Sequence, residues 1–556
     1  MKNNFSDYTT DYISGAMSLR TPQEESLNIL NNIFNSISPS KDIDLKEALK
    51  EVNKLYPTLT SFERDFVSLS FSIATGVGKT RLMGAFIAYL YTNHGIKNFF
   101  VVAPNTTIYS KLKKDLGDPS NPKYVFNGLG CFSNPPKVIA DESYRNQPNS
   151  FFESEVNIYV FNISKFDKEN VKMKSVNEYL GESFFNMLSK LDDLVLIMDE
   201  SHHYHAEKGA EALNELNPIL GLELTATPYY TKSNKQINFE NIVYEYPISK
   251  AIADGYTRTP FALTRENVNF KNFGDAELDR AMINDGLIAH KKIKAELEAY
   301  AKSSNTHVVK PFMMIVCKDT DHAKEIYDYV ISDVFSNGSY ANKTLLIHSN
   351  QKKAEIEANN ALLQKVEDLD NPIEIVIHVD MLKEGWDVNN LYTIVPLRTA
   401  ASKILREQMV GRGLRLPYGK RTGIKEIDLV MLTAHDNFQE LLAEAEKGDS
   451  IFKKGNVIKV EDIEKQKTET TQIKFIDDSV KDYIPSETIV ENKDVEKSVI
   501  EKTNKIVKKV IEKQINSTAN HKNKPDENRI IEYVEKEIEA DTELKEVIDK
   551  HLLPIE

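Results

Sequence analysis

The stretch Val67-Ser68-Leu69-Ser70-Phe71-Ser72-Ile73-Ala74-Thr75-Gly76-Val77-Gly78-Lys79-Thr80 decides the fold. Its first half alternates apolar and hydroxyl side chains with period two, which predicts a strand. A glycine turn follows, and then Leu82, Met83, Phe86, Ile87 and Leu90 recur at helical spacing. Phosphate binding needs this order of elements. Small residues let backbone N–H groups converge on an anion, and the helix N-terminus adds partial positive charge. Thr75, Gly76 and Gly78 form the cradle, Lys79 is placed to reach the β and γ phosphates, and the Thr80 hydroxyl to ligate magnesium. Ile73 stands where the strict pattern has its first glycine, and a bare strand-to-helix turn would read much the same.

Outward from this segment, short apolar runs at 98–103, 157–161, 194–198 and 221–224 alternate with helical or loop stretches. That layout predicts an α/β domain with a mainly parallel sheet. A second series repeats it, with strands expected at 312–317, 345–348, 373–379, 392–395 and 427–432 and a helix at 321–334. The expected organisation is an N-terminal segment (1–60), a first α/β domain (61–240), a connecting segment (241–305), a second α/β domain (306–450) and a charged, mostly helical or partly disordered tail (451–556). Within the tail, Ile530, Val534, Ile538, Leu544 and Ile548 predict one amphipathic helix.

Composition narrows the class. The 556 residues carry 84 acidic and 70 basic side chains, a net charge of −14 that argues against a surface coated for nucleic acid but allows a local basic groove. Two cysteines exclude a disulfide framework and a four-cysteine zinc site. The N-terminus lacks the apolar core of a signal peptide, and no apolar run approaches the ~20 residues of a membrane helix. A cytoplasmic protein without a membrane partner is expected.

Three further constellations bear chemistry. The apolar run 194–198 leads into Asp199-Glu200-Ser201-His202, two adjacent carboxylates at a strand end. Asp199 suits a magnesium ion held through water, and Glu200 suits polarising an attacking water. His202, His203 and His205 invite a zinc reading, but no cysteine lies near and oxygen donors favour magnesium. Thr225-Ala226-Thr227 offers two hydroxyls that can link neighbouring segments. In the second domain, Gln408-Met409-Val410-Gly411-Arg412-Gly413-Leu414-Arg415 sets two arginines three apart, and a guanidinium supplied across an interface stabilises phosphoryl-transfer charge. Gly385-Trp386-Asp387 reads as a loop lining the cleft between the domains, with Trp386 as a buried anchor or a base-stacking ring.

Together these residues resemble a superfamily-2 DExH-box helicase or translocase, whose fold is two RecA-like domains in tandem. Leu19-Arg20-Thr21-Pro22-Gln23 is similar to the motif in which a glutamine amide, here Gln23, recognises adenine. The segments 75–80, 102–105, 199–202, 225–227, 385–387 and 408–415 are similar, in order, to the family's motifs I, Ia, II, III, V and VI. Within the superfamily, Phe161-Asn162-Ile163, Lys383-Glu384-Gly385-Trp386-Asp387-Val388, Ile394-Val395-Pro396-Leu397-Arg398, Gly411-Arg412-Gly413-Leu414-Arg415-Leu416-Pro417 and Ala434-His435-Asp436-Asn437-Phe438 resemble the restriction (Res) subunit of type III restriction–modification enzymes. Ser201 stands where that family more often has proline or alanine.

The resemblance implies ATP and Mg2+ held between Lys79, Thr80, Asp199 and Glu200 on one side and Arg412 and Arg415 on the other, with Gln23, Gly385, Asp387 and Gln408 contributing to nucleotide binding. It implies a track of nucleic acid, duplex DNA in preference and RNA as the alternative, and a methyltransferase or specificity subunit as partner. Type III Res subunits end in a nuclease domain with an aspartate and a later Glu-x-Lys on a sheet; no such pair is visible after the motor segment here, so a separate nuclease, or a longer form of the chain, is expected to supply cleavage. A nucleotide-regulated scaffold that recruits a nuclease is the competing non-catalytic reading.

Overall fold

The computed structural model describes residues 9–140, 155–162, 182–205, 211, 213–232, 235–265, 273–348, 351, 353–379, 388–397, 410–433 and 456–463. The chain divides into a unit over Met1–Val460, which holds both sheets, and another over Glu461–Glu556, of which 461–463 are among the described residues.

Three helices, α1 (Thr10–Ala16), α2 (Thr21–Ser36) and α3 (Leu45–Leu55), precede β1 (Val67–Ile73) and α4 (Lys79–His94). Then come β2 (Asn98–Ala103), α5 (Thr106–Gly117), β3 (Lys137–Ala140), β4 (Asn157–Asn162), α6 (Glu182–Ser189), β5 (Leu194–Asp199), a 3-10 turn at Ser201–Tyr204, β6 (Leu220–Thr225), an antiparallel hairpin of β7 (Tyr229–Lys232) and β8 (Lys235–Asn238), and β9 (Ile242–Tyr246). The first sheet has the order β3-β4-β2-β5-β6-β1-β9, with every pair parallel. All seven residues of β1 are buried, the serines included. Alternation marked the strand, but a parallel sheet is covered on both faces, so its hydroxyls meet protein rather than water.

After α7 (Ile248–Ala253) the chain enters a second sheet through β10 (Thr259–Thr264). The long α8 (Asp275–Ser303) precedes β11 (Phe312–Val316), α9 (Thr320–Ile331), β12 (Thr344–Ile347), α10 (Lys353–Gln364), β13 (Ile375–His378), β14 (Leu391–Pro396), β15 (Leu429–Thr433) and β16 (Val457–Lys459). Its order is β12-β13-β11-β14-β15-β10-β16, again parallel throughout. Two RecA-like α/β domains therefore stand in tandem. Each sheet is sandwiched between two apolar clusters, for example Phe71, Phe86 and Leu222 on one face of the first and Phe100, Phe161 and Leu196 on the other.

The stretch 241–305 is not a mere connection. Its first part is the edge strand β9 of the first sheet, and its remainder supplies β10 and α8 to the second. Gly286 lets α8 lie close on the sheet, since a Cβ there would come within 2.6 Å of Val395. Likewise Val457–Lys459, expected in the tail, pairs with β10 because Ala262 and its neighbours otherwise present an open ladder. The expected helix at 530–552 lies outside the described residues.

Candidate nucleotide-binding site

Both domains end their strands at a shared cleft of about 430 Å³. On the first domain, β1 runs into a loop whose Gly76 and Gly78 have φ of +85° and +109°, which L side chains adopt only under strain. The loop delivers Lys79 and Thr80 at the start of α4, and Thr75, Gly76, Gly78, Lys79 and Thr80 all line the cleft. Gln23 does not. It is buried behind the loop, where its amide donates to the Gly78 carbonyl at 2.7 Å and its oxygen accepts from the Arg20 N–H at 2.8 Å. Both ends of the side chain thus bond within the protein, bracing the loop from below.

Arg20, three residues before Gln23, lines the cleft itself. Its guanidinium donates to the Gly76 carbonyl at 2.7 Å and to the Gly419 carbonyl of the second domain at 3.4 Å, and it lies 5.2 Å from the Tyr256 ring centre in the segment between the domains.

The paired carboxylates sit at the end of β5. Asp199 is buried, and burial together with Glu200 pushes its carboxyl up to about 6. Glu200 has φ +49° and ψ +55°, a left-handed conformation that costs a β-carbon-bearing residue about 1–3 kcal/mol. Its Oε1 lies 2.9 Å from Lys79 Nζ. His202 Nδ1 is 3.0 Å from Thr225 Oγ1. That hydroxyl donates to the Thr227 carbonyl at 3.0 Å and accepts the Thr227 N–H at 2.9 Å, so His202 Nδ1 carries the proton it donates. The turn after the carboxylates is in this way joined to the end of β6. His205 faces away, with Nε2 2.8 Å from the buried Glu223. Among the described residues no group of three His, Cys, Asp or Glu side chains is placed to hold a metal.

The second domain contributes Arg412 and Arg415 to the same cleft. Desolvation lowers the Arg415 guanidinium to about 10, opposed by Glu367, Glu200 and Asp199. A Cβ on Gly76 would lie 3.7 Å from Arg415 Cγ, so the arginine reaches the phosphate loop. Gly385, Asp387 and Gln408 lie outside the described residues. Lys111 and Lys123 also line the cleft, although no motif pointed to them. Desolvation and the Arg415 charge push Lys111 down to about 8. Its sequence signal is slight: Lys111 follows Ile108, another lining residue, by one helical turn on α5. Six cationic side chains against three carboxylates leave the cleft positive, which suits a polyphosphate.

A phosphate loop, two strand-end carboxylates and arginines from a second RecA-like domain meet in this cleft, an arrangement similar to that of ATP-hydrolysing helicases and translocases. Residues 16–230, which span the first α/β domain, match the family model described as "Type III restriction enzyme, res subunit". It is 22% identical to the probable type III restriction-modification enzyme HindVIP Res subunit of Haemophilus influenzae over 59% of this chain and 77% of the relative. Against the EcoPI Res subunit of Escherichia phage P1 it is 32% identical over 22% of this chain and 12% of that protein. The RNA- and ADP-BeF3-bound Dbp5 structure from S. cerevisiae aligns with 83% of this chain and 99% of its own length at 12% identity and a TM-score of 0.42, too loose a superposition to speak for any residue of the site.

Proposed function

We propose that the protein is a DNA-stimulated ATPase motor of the restriction type, acting in the cytoplasm in restriction or defence against phage with a methyltransferase subunit or a separate nuclease as partner. The observation that carries the reading is the meeting of Lys79, Glu200 and Arg415 in one positively lined cleft between two domains. ATP binds with its phosphates on the loop and the N-terminus of α4, and Arg412 and Arg415 stabilise the charge that develops as the γ-phosphoryl leaves. Glu200 orients the attacking water and takes its proton. Thr80 and Asp199 supply hard oxygen donors in the same cleft, and with the Glu200 carboxylate beside them this donor set fits a hard divalent cation. Magnesium, when bound there, neutralises phosphate charge. Release of products lets the domains separate, and alternation of the two states moves the protein along its track.

Phosphate release is to be measured with magnesium alone and then with duplex DNA, single-stranded DNA or RNA. Stimulation by duplex DNA is expected. Stimulation by RNA alone would overturn the DNA assignment, and nucleotide binding without turnover under every condition would favour the scaffold reading.

A further inference from the structure

We propose that His205 and Glu223 are positioning residues that hold Glu200 in its hydrolytic geometry; this rests on the role given to Glu200 above. A single left-handed residue that is not glycine persists only when the structure on both sides over-determines it. Upstream, Glu200 follows β5, which is held between β2 and β6. Downstream, the Ser201–Tyr204 turn is held by contacts on the side away from the cleft as well as by His202.

The Tyr204 carbonyl accepts from Arg64 at 3.1 Å, and the Tyr204 hydroxyl donates to the Val102 carbonyl at 3.3 Å. The His205 ring stacks on Phe239 with centroids 3.9 Å apart and on Tyr230 at 5.3 Å. Its Nε2 meets the Glu223 carboxylate, which is fully buried in the middle of β6. That carboxylate also takes Ser68 Oγ at 2.8 Å, Asn241 Nδ2 at 3.1 Å and Arg64 Nε at 3.3 Å. Burial alone would raise the Glu223 carboxyl, but Arg64 and His205 outweigh it and hold it far below the usual carboxylate range.

A buried ion pair is weak evidence for stability, since an apolar replacement often serves as well. What the network does supply is direction. His202 within the turn and His205 just after it are both tied to β6, at Thr225 and at Glu223. Glu200 therefore sits between β5 on one side and the anchored turn on the other, with its carboxylate toward Lys79. Freed at His205, the turn keeps its holds at His202 and Tyr204 but loses the one on the middle of β6, and the Glu200 carboxylate drifts from its line, while the phosphate loop on β1 and α4 stays as it was.

The test uses the full chain with duplex DNA, steady-state phosphate release and titration of a fluorescent non-hydrolysable ATP analogue. His205→Ala is expected to lower kcat about tenfold, as a misplacement near 1 Å can, with analogue affinity within about twofold. His205→Gln, whose amide still donates to Glu223, is expected to recover most of the rate. Unchanged turnover in His205→Ala, equal loss in both variants, or loss of analogue binding together with turnover would each overturn the positioning role. Glu200→Gln serves as control: if it still turns over, the assignment of Glu200 itself fails, a result distinct from active His205→Ala beside dead Glu200→Gln.

Discussion

Lys79 Nζ and Glu200 Oε1 lie 2.9 Å apart, so the two groups proposed to serve a γ-phosphate are paired with each other. In the proposed cycle, binding ATP parts them. Glu200→Gln is therefore expected to bind a non-hydrolysable analogue about two- to fivefold more tightly, the worth of a partly exposed ion pair, while kcat falls at least about a hundredfold. Analogue titration beside single-turnover hydrolysis separates the two effects; weaker binding would show that the pair does not compete with the nucleotide.

Arg415 reaches the loop from the other domain. Arg415→Ala is expected to reduce kcat by about 10²–10³ with a change in nucleotide affinity under about threefold, because its charge is needed most in the transition state. Arg415→Lys recovers little, since a point charge cannot present the planar fork. A loss confined to KM would remove Arg415 from the chemistry.

At Gly78 a methyl group would lie 2.6 Å from Gln23 Nε2 at a φ of +109°. Gly78→Ala is expected to abolish nucleotide binding. Combining it with Gln23→Ala relieves the clash but not the backbone strain of about 1–2 kcal/mol, so binding returns only in part. Gln23→Ala alone is expected to raise KM for ATP about tenfold by loosening the loop, and on the reading that Gln23 acts as a brace, pyrimidine and purine triphosphates suffer equally. A purine-specific loss would refute that.

Glu374 gathers Lys294 at 3.1 Å and Lys343 at 3.0 Å beside the buried His290. Burial alone would raise its carboxyl, but the neighbouring His290 ring and the bonds from Lys343 and Lys294 hold it well below the usual range. A folded value below the unfolded one contributes stability that is full above the unfolded value and is lost as pH falls toward the folded one. Glu374→Gln is thus expected to cost about 1–2 kcal/mol at pH 7, with the two lysines half exposed, and the gap should narrow below about pH 4.3. Urea unfolding at pH 7 and pH 3 checks it; a gap independent of pH would show that the loss is packing alone.

The phosphate loop was legible because local periodicity changes there from two to helical spacing, and the strand-end carboxylates because an apolar run stops at Asp199. The role of 241–305 was not. β10 contains Pro260, which ordinarily argues against a central strand. It is tolerated because the Thr259 N–H is the one directed to β15, through the Asp428 carbonyl, while β16 begins its pairing only at Ala262. No window around Pro260 contains that information. Lys111 was hidden for a similar reason: which side of α5 meets Arg415 depends on a domain some 300 residues later. Gln23 was legible as a residue of the site but not in its orientation, which the Gly78 carbonyl sets.

Arg20 touches the Gly76 carbonyl, the Tyr256 ring and the Gly419 carbonyl with a single guanidinium, and the last of these is its longest bond, at 3.4 Å. In the proposed cycle, opening of the cleft breaks that contact first, while the hold on Gly76 remains. The catalytic loop then stays moored to its own lobe and to the strap leading out of it, and each closure meets the same berth.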